Sequence, residues 1–143
     1  MITVKRLAKT PLPSIPLQLM AEAVLGPDYE LSVVICGDKL SRQLNRAWRG
    51  KDKPANVLSF PLAKRLGEIF INARRVKLEA EKLQQTTRAR YRHLFIHGLL
   101  HLKGLNHGSR MDKQEQQLLV QWRNEKYYHR TRHRHSGDSR SRR

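Results

Sequence analysis

The chain has 143 residues, of which 38% are hydrophobic and 29% charged, and its formal net charge is +17. This length suits one domain with one modest hydrophobic core and is too short for two domains of ordinary size. Residues 129–143 contribute a net +5, so +12 remains on the rest of the chain and favours a polyanionic partner such as nucleic acid.

Alternating strand and helix patterns run along the chain. Apolar and β-branched runs predict strands at residues 2–5, 29–36, 56–62 and 66–71. Apolar residues at helical spacing predict five helices: one capped by Ser14 and stopped at Gly26, then 39–48, 73–85 with Asn72 as cap, Thr87 to Gly104, and about 111–128.

The C-terminal tail has a different composition. Residues 129–143 are rich in Arg, His and Ser and almost without apolar side chains, so we expect them to be disordered. Residues 1–128 are therefore predicted to form the single domain.

A single cysteine, Cys36, excludes an internal disulfide and is typical of a reducing compartment. Its place in an apolar run favours a buried hydrophobic role over a nucleophilic one. No apolar stretch has the roughly 18 residues of a transmembrane helix, and the N-terminus lacks the pattern of a signal peptide. We expect a cytoplasmic protein with no membrane partner.

Three histidines carry the clearest chemical signal. His97 and His101 are four residues apart, so in a helix their imidazoles share one face. Gly104 lets the helix stop in a left-handed conformation, and His107 can then return to the same ion. Two histidines at this spacing also occur by chance, but the glycine and the third histidine favour a metal site. Three neutral imidazoles leave a fourth position open, which is typical of catalytic zinc.

The same spacing occurs in the metzincin proteases, whose pattern is H-E-x-x-H-x-x-G-x-x-H. Those enzymes need a glutamate directly after the first histidine as general base. Gly98 occupies that position here and can take no proton. A metalloprotease is therefore only a distant third alternative.

With glycine at that position, the segment resembles the YbeY endoribonucleases, whose pattern is roughly H-x-x-x-H-G-x-L-H-L-x-G-[Y]-D-H. Residues 44–61 are similar to the family's L-N-x-x-[YW]-R-x-x-x-x-P-T-[DN]-V-L-S-F-P, and residues 66–72 to its L-G-D-I-x-I-S. The likeness covers about residues 29 to 128 in the family's order. The matching positions of the first block are His93, His97, Gly98, Leu100, His101, Leu102, Gly104, Leu105, Asn106 and His107.

The resemblance implies both a fold and an activity. It implies a single α/β (α+β) domain, in which a mixed sheet of about four strands packs against about five helices, with a metal at one end of a cleft. The ion would be zinc, or nickel, since both suit imidazole ligands. The activity would be cleavage of single-stranded RNA in 16S ribosomal RNA 3′-end maturation and ribosome quality control. Ribosomal RNA, the small ribosomal subunit and ribosome-assembly proteins would be the partners.

Arg49 is the position that matches the family's invariant arginine. A guanidinium is always charged, and its rigid fork of donors suits phosphate oxygens. The resemblance therefore implies a catalytic and RNA-binding role for Arg49 beside the three histidines. Lys51 and Lys53, in the following loop, and His93, one turn before His97, are further predicted RNA contacts.

Three positions depart from the family pattern: Asn106 and Glu68 replace the usual aspartates, and Leu105 replaces a common tyrosine. None removes a metal ligand. The main rival function is a non-catalytic ribosome-binding assembly factor with a structural metal. Structural zinc sites usually have four protein ligands, so a fourth ligand from Glu68 or Asp112 would favour that rival.

The aromatic residues near Arg49 are expected to be structural. Leu40, Leu44 and Ala47 form an apolar face at helical spacing, and Trp48 ends it. Ser59 and Phe60 lie in a predicted strand. We therefore predict that Trp48, Ser59 and Phe60 pack within the protein rather than contact a substrate.

Overall fold

The computed structural model describes residues 1–123. This part of the chain forms a single α/β domain of four strands and five helices, which confirms the predicted fold class. The predicted domain end at residue 128 and the tail 129–143 lie outside the described residues. The elements are β1 Ile2–Arg6, α1 Leu17–Leu25, β2 Glu30–Cys36, α2 Asp38–Arg49, β3 Val57–Ala63, β4 Leu66–Asn72, α3 Ala73–Leu83, α4 Thr87–Leu102 and α5 Ser109–Trp122.

The four strands form one mixed sheet in the order β1-β2-β4-β3. β1 runs parallel to β2, and β2 runs parallel to β4. β3 pairs antiparallel with β4 through a short turn and is an edge strand, with a register shift between Pro61 and Ala63. Parallel pairs require crossover connections, which here run through α1 and through α2 with β3.

Helix α4 is the centre of the core. It packs on β3 and β4 and also contacts α1, α3 and α5. A helix that is covered on most sides must be apolar nearly all round, and α4 meets that requirement with the buried residues Tyr91, Leu94, Phe95, Ile96, Gly98, Leu99, Leu100 and Leu102. The half-buried His93, His97 and His101 therefore occupy the one side of α4 that is less covered.

Gly98 lies at a close contact between α4 and the sheet. A Cβ atom on this residue would lie 3.0 Å from Ser59 Oγ and 3.1 Å from Ile69 Cδ1. The Ser59 hydroxyl donates a hydrogen bond of 3.1 Å to the Gly98 carbonyl, so Ser59 has the structural contact expected of it. No side chain as large as the metzincin glutamate fits between the helix and the sheet here.

Helix α2 differs from its predicted orientation. Its buried residues are Ser41 and Asn45, whereas Ala47 and Trp48 are exposed. The Ser41 hydroxyl donates to the Ala55 carbonyl and accepts from the Ala55 amide, each at 2.7 Å. The prediction of a buried apolar face that runs to Trp48 is wrong. The buried face of α2 instead carries polar residues that bind the backbone of the following loop.

Asn45 completes the anchoring of that loop. Its Nδ2 donates to the Lys53 carbonyl at 2.9 Å, and Gly50 ends α2 with a left-handed φ of 69°. The segment after α2 is therefore held by hydrogen bonds at both Lys53 and Ala55, although Lys51 and Lys53 expose their side chains.

One predicted helix cap is confirmed, at α3, and one is wrong, at α1. The Asn72 side chain caps α3 by accepting from the amides of Arg74 and Arg75, as predicted. Ser14 does not cap α1, whose N-cap is Pro16 with no side-chain hydrogen bond. The residue before a proline disfavours the helical region, so the chain cannot begin the helix at Ile15.

Cys36 is buried and free, as predicted. Burial raises the pKa of its thiol to about 11, which leaves the thiol protonated and unreactive at neutral pH. In residues 1–123, no helix has the length and apolar character needed to cross a membrane.

The same substitution at two glycines tests the close packing of α4. Gly98→Ser is expected to lower the free energy of unfolding by about 1–3 kcal/mol, because added atoms overpack the helix–sheet contact. Gly37→Ser is the control, since a Cβ at Gly37 meets no atom within 4 Å and serine is a good N-cap residue. Chemical denaturation should show Gly37→Ser within about 0.5 kcal/mol of wild type; equal stability of the two variants would contradict the packing argument.

Candidate metal centre

The end of α4 and the turn after it bring three histidines together. One ring nitrogen from each of His97, His101 and His107 lies within 4.8 Å of the other two. Gly104 reverses the chain with φ +104°, and the Leu105 amide donates to the Leu100 carbonyl at 3.1 Å. This backbone bond closes the turn that returns His107 to the helix.

Hydrogen bonds orient two of the three imidazoles. Nδ1 of His101 lies 3.1 Å from the Leu105 carbonyl oxygen, and Nδ1 of His97 lies 2.8 Å from Oε2 of Glu115. A carbonyl or carboxylate oxygen only accepts, so each Nδ1 donates. In a neutral imidazole with its proton on Nδ1, Nε2 carries the lone pair that binds a metal.

The two Nε2 atoms are 3.2 Å apart. Two unprotonated nitrogens at this distance repel each other unless a cation lies between them. Ligands of a tetrahedral zinc ion, each at about 2.0–2.1 Å from the metal, are separated by about 3.3 Å. The donor set and its spacing thus fit a zinc ion held by three imidazoles.

Carboxylates do not complete this cluster. Within residues 1–123 the group contains only the three histidines, so neither Glu68 nor Asp112 is a member. Glu68 pairs with Phe60 across β3 and β4, and Asp112 is exposed in the first turn of α5. A site with three protein ligands leaves a coordination position open, as in catalytic zinc sites.

Glu115, on α5, is a site residue that the sequence analysis missed. Its two carboxylate oxygens accept from Nε2 of His93 at 3.2 Å and from Nδ1 of His97 at 2.8 Å. The hydrogen bonds from His93 and His97 lower the pKa of Glu115 to about 2. An ionised carboxylate that fixes the tautomer of a ligand histidine also raises the basicity of that ligand.

His93 belongs to a polar network beside the cluster. Its Nδ1 lies 3.3 Å from Nη1 of Arg90, and Arg90 donates from Nε to Glu79 at 2.8 Å. Asn56 donates to the same carboxylate. Asn56, Arg90 and His93 line a cavity of about 230 Å³ with His97 and Glu115. His93 is outside the three-histidine group and supports it through Glu115, while RNA contact by His93 stays a prediction.

Arg49 ends α2 near the cluster. The pKa of His101 is lowered by burial, then by the neighbouring His97 and His107, and further by the positive charge of Arg49. In the part of the chain that the structure describes, Arg49 forms no salt bridge. An exposed guanidinium whose charge lowers the pKa of His101 is placed to attract an anionic group.

Lys51 and Lys53 are exposed on the loop after α2. Lys53 lines an open cavity of about 810 Å³ with Arg42, Arg46 and Asp52, and none of the three histidines lines it. Lys53 thus lines a polar cavity that is separate from the three histidines. RNA binding by either lysine stays a prediction.

The fold and the site together define a small α/β protein with a three-histidine candidate metal centre at the end of its central helix. A family model described as "Endoribonuclease YbeY" matches residues 5–128. The chain belongs to the YbeY family, as its sequence motifs predicted.

Individual relatives agree with this membership. A protein named endoribonuclease YbeY from Methylocella silvestris is 39% identical over an alignment that covers 68% of this chain and 58% of that protein. The Persephonella marina protein of the same name is 36% identical over 64% of this chain and 65% of its own length. The chain thus spans about three fifths of the length of these relatives. The Geobacter sulfurreducens protein of the same name is 36% identical over 73% of this chain and 83% of its own length.

A solved structure supports the fold. The solution structure of TM1509 from Thermotoga maritima matches 87% of this chain and 93% of its own, with a TM-score of 0.60 and 24% identity. At this identity the likeness concerns the fold alone.

Removal of the Glu115 charge tests its role as a support for His97. Glu115→Gln is expected to weaken zinc affinity by about 10- to 100-fold, because partners that orient a ligand histidine have effects of this size. Glu81→Gln, at an exposed glutamate on α3, is the matched control and should bind zinc like wild type. Competition with a zinc chelator measures both affinities, and a Glu115→Gln variant with wild-type affinity would refute the assignment.

Proposed function

We propose that the protein is a metal-dependent, single-strand-specific endoribonuclease that acts in 16S ribosomal RNA 3′-end maturation and ribosome quality control. The observation that carries this proposal is a cluster of three imidazoles, two of which donate from Nδ1, together with the guanidinium of Arg49, which forms no salt bridge within residues 1–123. Membership of a family described as endoribonucleases supports the reaction class.

The metal would be held by His97, His101 and His107. When bound, a zinc ion supplies Lewis-acid polarisation of a phosphoryl oxygen and a more acidic water. Nickel is also compatible with an imidazole set. The described residues provide three ligands and no carboxylate in the group, so a coordination position stays available for the substrate.

Arg49 would bind the scissile phosphate. A planar guanidinium can donate two parallel hydrogen bonds to phosphate oxygens and stays charged at every working pH. The positive charge of Arg49 lowers the pKa of His101. Arg49 would therefore hold a phosphodiester next to the imidazoles and offset the negative charge that develops during cleavage. His97, His101 and Arg49 then act as one unit that positions and polarises the phosphate.

The substrate and partners follow from charge and family. A net charge of +17 favours an RNA-rich partner, and we assign the small ribosomal subunit to this role, with ribosome-assembly proteins as further partners. Lys51, Lys53 and His93 would add RNA contacts around Arg49. The cytoplasm is the proposed location, since ribosomes are assembled there.

Cleavage assays on single-stranded RNA test the proposal. His101→Ala and Arg49→Ala are each expected to reduce cleavage by at least about 100-fold, the size of effect seen when a group that stabilises transition-state charge is removed. Arg6→Ala is the charge-matched control, because Arg6 is exposed on β1, at the opposite edge of the sheet from β3. It should retain wild-type cleavage. Product formation on gels, with casein as a protease substrate, provides the measurement.

The variant comparison also removes the problem of contaminating ribonuclease, which would cleave equally in every sample. Equal cleavage by wild type, His101→Ala and Arg49→Ala would reject the nuclease assignment. If such a wild type still binds small ribosomal subunits, the non-catalytic assembly factor replaces the nuclease. Loss of casein together with RNA would instead indicate a protease.

A further inference from the structure

Trp48 is unusually exposed for its size. Of the large hydrophobic side chains in residues 1–123, it has the greatest exposed fraction, 72%. Trp122, the other tryptophan, is only 4% exposed. A large aromatic surface in contact with water is more informative than a buried one, since exposed apolar patches often mark binding sites. The predicted structural role of Trp48 at the end of an apolar face does not account for this exposure.

Trp48 is the outer member of a row of three aromatic rings. Its ring centroid is 6.2 Å from that of Phe60, and Phe60 is 5.8 Å from Phe70. Phe60 and Phe70 are half-buried on neighbouring strands. The strand register places both of them, with Glu68, on the face of the sheet opposite Ser59 and Ile69, the residues that meet α4. The row thus backs the Trp48 ring and leaves its outer surface open.

The charges around Trp48 indicate what covers that surface. Arg46 and Arg49 lie in the same last turn of α2, and Arg49 directly follows Trp48 in the sequence. Two guanidinium groups in the same helical turn as an open aromatic ring match a single strand of nucleic acid, in which phosphates alternate with unpaired bases. Asp52 already interacts electrostatically with Arg46, whereas Arg49 forms no salt bridge within residues 1–123, so an apolar protein partner would leave Arg49 without a counter-charge.

One acidic group lies on the same sheet face. Glu68 is directly across from Phe60, and its carboxylate repels phosphate groups. The strand's phosphates are therefore expected to run on the side of Arg46 and Arg49, with the bases turned towards the aromatic row and Glu68. This arrangement places the phosphates on one side and the bases on the other, as base stacking on an aromatic ring requires.

We propose that Trp48 stacks on an unpaired base of single-stranded RNA, one step along the strand from the phosphate bound by Arg49. Phe60 supports the ring from beneath. Trp48 is a binding residue in this arrangement and not a catalytic one. The inference rests on the proposed function for its substrate, but it concerns RNA binding and can be measured without cleavage.

The test uses the full chain and a cleavage-resistant 2′-O-methyl phosphorothioate oligonucleotide, with an abasic oligonucleotide of the same length for comparison. Trp48→Ala should weaken binding of the base-containing strand by about 5- to 150-fold, since stacking on one base contributes about 1 to 3 kcal/mol. Binding of the abasic strand should change by less than about 2-fold, because the arginines that contact phosphates remain. Trp48→Phe should recover most of the affinity.

Intrinsic fluorescence gives a second readout. The exposed Trp48 should be quenched when a base stacks on it, whereas buried Trp122 should contribute a constant signal. Val120→Ala removes another exposed apolar side chain, 56% exposed on α5, and should preserve both affinity and quenching. This control separates base stacking from a general loss of apolar surface.

Several results would overturn the inference. Unchanged affinity in Trp48→Ala, or an equal loss for the base-containing and abasic strands, would show that no base stacks on Trp48. A change in self-association with unchanged RNA affinity would assign the surface to a protein partner. Trp48-dependent binding by a protein that does not cleave RNA would support the stacking site while rejecting the proposed nuclease, so the two conclusions fail separately.

Discussion

The close approach of α4 to the sheet at Gly98 sets the geometry of the whole site. With only hydrogen at this position, the helix lies in direct contact with Ser59 and Ile69. α4 is then buried along most of its surface, and a buried helix has little freedom to rotate or slide. The two histidines that flank this contact, His97 and His101, therefore point in a direction determined by core packing. Rigid support of this kind is what a metal site needs.

Other elements complete the site from different directions. α5 brings Glu115 against His97, and the turn after α4 brings His107 to the same point. α2 ends at Arg49, and its buried Ser41 and Asn45 hold the loop that follows. Each contribution is fixed by a hydrogen bond or a packed side chain rather than by a long unsupported loop. The chemistry is thus assembled at the edge of the core, where ordered elements meet.

Local patterns were sufficient to predict much of this arrangement. The apolar spacing in α4, the helix-stopping Gly104 and the cap at Asn72 all depend on neighbours close in sequence. Glu115 was missed because its role depends on the packing of α5 against α4, which no local spacing encodes. The predicted buried face of α2 is wrong for a related reason: polar Ser41 and Asn45 are buried because they bind backbone groups of the loop that follows the helix. Hydrophobic periodicity cannot identify such residues.

The hydrogen bond from His101 to the Leu105 carbonyl links two members of the three-histidine cluster, His101 and His107, through one turn. The backbone that orients His101 is the same turn that delivers His107. A chain that loses this turn loses the alignment of one ligand and the presence of another at the same moment. The turn therefore affects two imidazoles of the candidate centre, His101 and His107, whereas His97 is held separately by Glu115 on α5.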